Sequence, residues 1–473
     1  MSDKLKLSAS ERINTLLDDS SFVEIGSGVT ARVTDFNESP AATPKDGVIT
    51  GYGLINGRLV YVYSQDVSVL GGSVGEMHAK KILAVYRMAV KCGAPVIGLI
   101  DTAGIRLQEA TDALHYFGTL FKKYTMASGV IPQITAVFGN CGGGAGILAA
   151  MSDFTYMTEG AKLFVNSPNA LKDNYEEKLD TSSAAYLSEE TSLVDNVFAS
   201  DSELIARLRE LFEVLPSNNE EIAIDTCADD LNRTIPGIDA MADDGREVAR
   251  AISDDNLFIE TKAKYASDVV TGYIKLNGAT VGVVANQVKD GGDYMSGLGA
   301  DKAAALVNFC DAFNIPVLTI TNVKGFKTTV ADEKTLATDM AKLTGAFVNA
   351  TVPKVNVITG TAYGSAYTVM NSKALGADIV YAWPGAKIGI MDSSKAAEII
   401  YSEDIAAAGD KIAAINEAAA KIDELSNSAE SAARRGYVDD IIEPDATRKR
   451  VIAALEMLST KSEMRPNKKH LSI

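Results

Sequence analysis

Histidine is nearly missing from this chain: three residues in 473, at His78, His115 and His470. A Ser-His-Asp triad or a histidine-built metal centre starts short of parts, so neither a triad nor a metal site is expected. Cysteine is almost as sparse. Cys92, Cys141, Cys227 and Cys310 lack the paired spacing of a zinc site or a disulfide framework, and reduced thiols are expected. Basic residues are outnumbered, 45 Lys and Arg against 62 Asp and Glu, for a formal net charge of −17. A general nucleic-acid binder needs cations concentrated on one face, so no nucleic-acid partner is expected. A local basic pocket for a phosphorylated ligand is still compatible with that total. Long apolar runs are also lacking. None reaches a bilayer-spanning length, and the opening "MSDKLKLSASERINTLLDDSSF" has no apolar core of signal-peptide type. The expectation is a cytoplasmic protein with no direct membrane insertion.

What the chain has is ordinary soluble composition, 47% hydrophobic and 23% charged, in a length that exceeds one ordinary core. It also contains itself twice. "VITGYGLINGRLVYVYSQD" from Val48 returns as "VVTGYIKLNGATVGVVANQ" from Val269, 221 positions later. The same offset pairs "APVIGLIDTAGIR" with "IPVLTITNVKGFK", matching Pro95 to Pro316, Gly104 to Gly325 and Arg106 to Lys327. It also pairs "IPQITAVFGNCGGGAG" with "VPKVNVITGTAYGSAY", matching Pro132 to Pro353 and Gly139 to Gly360. "DFTYMTEGAKLFV" and "DIVYAWPGAKIGI" follow at an offset of 225. The period is far too long for a solenoid. Two domains of one fold are expected, at 1–225 and 240–473, joined by the acidic, turn-rich "PSNNEEIAIDTCADDLNRTIPG".

Within each copy β-branched segments alternate with helical patterns such as "AKKILAVYRMAVKCG" and "DKAAALVNFCDAFN". That alternation predicts an α/β architecture with parallel strands. Asn56-Gly57 and Asn277-Gly278 predict a hairpin turn in each copy.

"FGNCGGGAG", Phe138 to Gly146, places five glycines in nine positions after one apolar run and before another. It lacks the Gly-Lys-Ser/Thr ending of a P-loop. A dinucleotide fingerprint wants an acidic residue about twenty positions on, and Asp153 comes too soon. Two readings remain: a tight strand-to-helix packing turn, or an oxyanion hole in which bare N–H groups at a helix start receive a carbonyl oxygen. For one isolated cluster the packing turn is the plainer choice. The second copy carries "TGTAYGSAY" at the same place, and a reaction in which two carbonyls each become enolate-like would use both.

Seven ordered blocks carry a resemblance to a family. They are "KDGVITGYGLINGRLVYVYSQDVSVLGGSVGEMHAKKI", "SGVIPQITAVFGNCGGGAG", "VTGYIKLNGATVGVVANQ", "CDAFNIPVLTITNVKGF", "TAYGSAYTVM", "GADIVYAWPGAKI" and "AARRGYVDDIIEPDATRKRVIAALEML". Together they resemble the biotin-dependent acyl-CoA carboxyltransferases: the β subunits of propionyl-CoA and related carboxylases, and the carboxyltransferase subunits of sodium-pumping acyl-CoA decarboxylases. The resemblance implies tandem duplicated crotonase-like (ClpP/crotonase) α/β domains, with acyl-CoA on the first and biotin on the second. In that family carboxybiotin releases CO2, the biotin anion takes the α-proton of an acyl-CoA, and the thioester enolate captures CO2. The cofactor supplies the base and the protein supplies position and electrostatics. No histidine is required.

Carried over by resemblance, Gly143 and Gly144 are the backbone donors to the thioester enolate, and Ser365 and Ala366 those to the biotin oxygen. Thr368 matches a position associated with acyl-chain choice. Arg106 and Lys81 are the candidate cations for the phosphates of coenzyme A, although a solvated helix face is an equal reading of Lys81. His78 reads as a structural group, Asp101 as a turn cap, and Asp439 and Asp440 as surface charges. The chain departs from the family at "GSAY" for the usual "GGAY", at Lys324 in "NVKGF", at "DSSKAAEII" and after "SPNALK", places that line the acyl and biotin grooves in relatives. It has no "AMKM"-type biotinylation site and no ATP-binding region. Biotin is therefore expected on a separate carrier protein, with a biotin carboxylase or membrane decarboxylase subunits as further partners. Relatives are hexamers, and a homohexamer is expected here. Two alternatives remain: the decarboxylase direction and a catalytically silent scaffold. A biotin-independent hydratase or isomerase fits worst, because no Glu or Asp base stands convincingly near the first glycine cluster.

Overall fold

Each Asn-Gly dipeptide forms the turn that its sequence predicts. Asn56 and Gly57 have φ of 51° and 77°, and Asn277 and Gly278 have 52° and 75°, the left-handed pair that a two-residue hairpin needs. They join Val48–Ile55 to Arg58–Gln65 and Val269–Leu276 to Ala279–Asn286 as antiparallel pairs. A single carboxylate pins each turn. Asp18 accepts from the N–H groups of Asn56 (3.1 Å) and Gly57 (2.9 Å), and Asp254 from those of Asn277 (3.2 Å) and Gly278 (2.7 Å).

The computed structural model describes residues 6–36, 43–174, 178–222 and 224–464, and its chain divides into the units Met1–Ala223 and Ile224–Ile473. In the first unit the strands lie in the order Val23–Glu24, Val48–Ile55, Arg58–Gln65, Val96–Thr102, Gln133–Gly142, Phe154–Thr158 and Asn196–Phe198. The short strand Lys162–Phe164 pairs with the far end of Gln133–Gly142. The second unit repeats this order with Ile259–Thr261, Val269–Leu276, Ala279–Asn286, Val317–Val323, Lys354–Tyr363, Ile379–Ala382 and Asp440–Ile441. There Lys387–Gly389 pairs with the end of Lys354–Tyr363. The edge strands Val23–Glu24 and Ile259–Thr261 pair antiparallel with the hairpins, and from Arg58–Gln65 and Ala279–Asn286 onward the strands pair in parallel. Even the irregularity is duplicated: the register slips between Ile100 and Thr102 in one sheet and between Thr321 and Val323 in the other.

Central parallel strands are buried on both faces, so they read as continuous apolar runs rather than alternating ones. Every residue of Val96–Thr102 and of Val317–Val323 is buried. The helix Glu76–Cys92 turns Ala79, Ile82, Val85, Tyr86 and Ala89 inward, the 3–4 spacing of an amphipathic helix, and stops at Gly93 in a left-handed conformation (φ 61°). Its counterpart Gly297–Ala312 starts at Ser296, whose side chain accepts from the Gly299 N–H at 2.9 Å. In the first unit the helix Glu76–Cys92 and the strands share one apolar core; in the second the strands pack with the helices Gly245–Ile252 and Thr447–Met457 in one cluster, and Ile358, Ala362, Val380 and Ile388 belong to another. Both copies bring the C-terminal ends of their parallel strands to the glycine-bearing loops.

Candidate active site

The strand Gln133–Gly142 ends, turns at Gly143 and enters the helix Gly144–Ala150. Gly143 has φ 61° and ψ −125°, a combination that residues with a Cβ rarely adopt. The neighbouring glycines serve close packing. A Cβ on Gly139 would lie 2.0 Å from an Asp101 carboxylate oxygen, and one on Gly144 would lie 2.7 Å from the buried Phe117 ring. The plain packing reading therefore describes much of "FGNCGGGAG".

The donor assignment changes at one residue. The Gly143 N–H donates to the Phe164 carbonyl at 2.9 Å, extending the short pairing of Gln133–Gly142 with Lys162–Phe164, so it is not free to receive a substrate oxygen. The N–H groups that open the helix are those of Gly144 and Ala145, in the first turn, where intrahelical acceptors are missing. In the second unit the strand Lys354–Tyr363 passes through Gly364 (φ 60°) into the helix Gly364–Val369. Ser365 there is exposed and Ala366 buried. At the 221-residue offset Ser365 and Ala366 coincide with Gly144 and Ala145. The first-unit positions in register with them are Gly144 and Ala145, and sequence reasoning did not name Ala145. Thr368 is exposed on the second helix, its hydroxyl donating to the Gly364 carbonyl at 3.3 Å.

Both loops are braced from the neighbouring strand. Asp101 accepts from the Asn140 N–H at 3.3 Å. Arg12 lies 3.5 Å from Asp101 and 3.3 Å from Asp201, with its guanidinium 4.5 Å from the Phe138 ring centre. In the second unit Asn322 takes this place, accepting from the Thr361 N–H at 2.9 Å and donating to the Ala242 carbonyl at 3.0 Å. Asp101 therefore fixes the end of the adjacent strand rather than capping its own turn. Asp439 likewise accepts from the Val380 N–H (2.7 Å) and pairs with Lys373, while Asp440 pairs with half-buried Arg450.

The two expected phosphate cations point into the protein. Arg106 is 1% exposed, and one guanidinium nitrogen donates to Asp46 at 2.5 Å and to Glu109 at 2.9 Å. The rest of the head donates to the Ser73 hydroxyl and carbonyl. Lys81 is 5% exposed, its ammonium donating to the carbonyls of Lys45 (2.9 Å) and Val48. Neither cation reaches solvent, because each is consumed in fastening the loop before the hairpin. Their repeat counterparts do the same work. Lys302 donates to the carbonyls of Lys262, Tyr265 and Val269, each at 2.8 Å, and Lys327 pairs with Asp268 at 3.1 Å.

His78 is fully buried beside this network. Its Nδ1 lies 2.9 Å from the Asp46 carbonyl, which can only accept, so Nδ1 carries the proton. Nε2 then accepts from the Gln65 amide at 3.2 Å. Burial, and after it the charges of Arg106 and Lys81, push its pKa down to about 3. The neutral ring belongs to the folded state, whereas the unfolded state takes up a proton below a pKa of about 6.5. Stability from this group is therefore complete above pH 6.5 and is lost as pH falls toward 3. Between pH 7 and pH 5 the expected loss is about 2 kcal/mol. Urea unfolding at the two pH values should show His78→Gln flattening the slope by that amount, and an unchanged slope would remove His78 from the acid response.

Comparison with known proteins gives the family. The Carboxyl transferase domain model matches residues 2–473. The propionyl-CoA carboxylase beta chain of Roseobacter denitrificans is 42% identical over 483 residues, covering 99% of this chain and 94% of that one. The methylmalonyl-CoA decarboxylase subunit alpha of Propionigenium modestum is 40% identical over 484 residues, covering 99% and 93%. The structure of transcarboxylase 12S, described as a hexamer assembly with methylmalonyl-coenzyme A and methylmalonic acid bound, aligns with a TM-score of 0.93 at 37% identity, over 99% of this chain and 92% of that one. These matches run through both copies of the repeat and both glycine-bearing loops, and the chain belongs to the carboxyl transferase family, in its tandem crotonase-like fold.

Proposed function

We propose that this chain is a carboxyltransferase subunit that moves a carboxyl group between carboxybiotin on a separate carrier protein and the α-carbon of an acyl-CoA. One observation carries the reading: two strand-to-helix turns, in register across the repeat, each present a pair of first-turn N–H groups at the same end of their sheets. The N–H groups of Gly144 and Ala145 receive the thioester oxygen as negative charge develops on it. Gly143 holds the turn, and its own N–H stays on Phe164. Ser365 and Ala366 receive the ureido oxygen of biotin. Ser365 is exposed in the first turn of its helix, where its N–H suits a carbonyl-type acceptor, and the serine side chain leaves that donor in place. When bound, carboxybiotin supplies the CO2 and the base. Thr368, exposed one turn along the same helix, is the proposed position for acyl-chain choice.

In this reading residues 1–225 form the acyl-CoA side and 240–473 the biotin side. Coenzyme A is part of the substrate, held by cations other than Arg106 and Lys81. The partners are a biotin carrier protein and, by analogy with the relatives, a biotin carboxylase or membrane decarboxylase subunits. A homohexamer is the proposed assembly, as in transcarboxylase 12S. The cytoplasm is the proposed compartment, in keeping with four free cysteines; among the described residues no helix is long and apolar enough to cross a membrane. The decarboxylase direction is the second reading, favoured by the 40% identity to a methylmalonyl-CoA decarboxylase subunit. One active site serves either direction, because forward and reverse reactions share their transition states. Calorimetric titration of the full chain with propionyl-CoA should give saturable binding. Absence of binding in a correctly folded oligomer would reject both directions.

A further inference from the structure

With Arg106 and Lys81 turned inward, a different cation stands beside the first N–H pair. An open recess of about 540 Å³ is lined by Lys162, Phe164, Ser167, Asn169, Asp180 and Ser182, among others. Its wall is the short strand Lys162–Phe164, in register with Asn140 to Gly142, immediately before Gly143 and Gly144. Phe164 belongs to both places. Its carbonyl accepts from Gly143, and a Cβ on Gly142 would sit 3.0 Å from its ring. Phe164 thus joins this recess to the turn that a thioester oxygen at Gly144 and Ala145 would occupy, within reach of its α-carbon substituents in the proposed pose. The phosphates of coenzyme A, at the far end of the pantetheine arm, do not fit so close to the thioester.

The polar group closest to the thioester is the carboxylate that the reaction adds or removes. Lys162 pairs with Asp180, and the two side chains are 38% and 47% exposed. Such a surface pair is held weakly, and an ammonium has three donors, so a second carboxylate can join it. Asp180 is itself fixed by the Ser182 N–H (3.2 Å) and hydroxyl (2.6 Å), which orients the lysine. An independent observation comes from the repeat. At the 225-residue offset the second copy carries Lys387, in register with Thr361 and paired with Asp423 at 2.9 Å. A lysine–aspartate pair thus stands on the short strand beside the end of each glycine-bearing strand, as suits a carboxyl group held on either side of a transfer.

We propose that Lys162 is a specificity-determining residue whose ammonium receives the free carboxylate of an α-carboxyacyl-CoA in this recess. The inference rests on the acyl-CoA reading above. Its test compares two thioesters that differ by one carboxylate, propionyl-CoA and methylmalonyl-CoA, titrated calorimetrically into the full-length chain and into Lys162→Met and Lys162→Arg. Loss of a charge-assisted contact should weaken methylmalonyl-CoA binding to Lys162→Met about tenfold, with propionyl-CoA changed by less than about twofold. Lys162→Arg should recover most of the difference. Equal weakening of both thioesters would make Lys162 a phosphate or structural contact, and no weakening of either would make it a surface residue. Both results overturn the proposal while leaving the acyl-CoA reading intact. Failure of the wild-type chain to bind either thioester would instead reject the acyl-CoA reading, and the inference with it.

Discussion

Arg106→Leu lowers the stability of the first unit by about 3–5 kcal/mol, the usual cost of removing one partner from a buried ion pair. The guanidinium donates to two carboxylates that are themselves almost fully buried, Asp46 and Glu109. Burial already pushes the Asp46 carboxyl up against the pull of Arg106, so without the arginine that group has every reason to take a proton or drag water inward. Glu109 has a second duty, accepting from the Glu76 N–H at 2.6 Å at the start of the helix Glu76–Cys92. The damage therefore spreads from one ion pair to a helix terminus and to the loop before the hairpin. Arg106→Lys should recover part of the loss, because the second unit pairs Lys327 with Asp268 at the equivalent place. Chemical denaturation followed by circular dichroism reads the effect. A variant of wild-type stability with weakened coenzyme A binding would return Arg106 to the ligand.

Gly144→Val cuts the rate of carboxyl exchange about a hundred- to a thousand-fold, the range for losing one oxyanion donor. The side chain would start 2.7 Å from the ring of Phe117, which is 2% exposed on the helix Ala110–Ala127. Either that ring or the helix start must move. The core around Phe117 is close-packed, so displacement of the N–H groups of Gly144 and Ala145 is the cheaper response. Overpacking of this kind also lowers stability by about 1–3 kcal/mol, which a well-folded oligomer tolerates. A folded variant with unchanged exchange would dissociate these N–H groups from the reaction.

Much of the architecture was legible in the letters. The 221-residue repeat predicted two copies of one α/β unit, and the strand orders, the hairpins and the register slips agree with it. The failures concern side-chain direction. A cation in "DTAGIR" reads the same whether it meets a phosphate or a carboxylate, and Asp46, its partner, lies 60 residues away. The repeat held a usable signal, since a charge kept as Arg106 and Lys327 in both copies suits a shared structural task better than one substrate. Gly143 is a related case. Glycines look alike, and only the pairing with Phe164 distinguishes a donor already engaged from one left open. Aligning Ser365 and Ala366 backward by 221 positions points to Gly144 and Ala145 instead.

The most direct measurement is exchange of a labelled carboxyl group between methylmalonyl-CoA and biotin on candidate carrier proteins, catalysed by the full-length oligomer. Two N–H pairs serving one transfer predict exchange by the wild-type chain, and in Gly144→Val a loss of about a hundred-fold or more with acyl-CoA still bound. A folded wild-type oligomer that binds acyl-CoA yet exchanges no label with any carrier would contradict it, leaving the chain a silent scaffold on a carboxyltransferase fold.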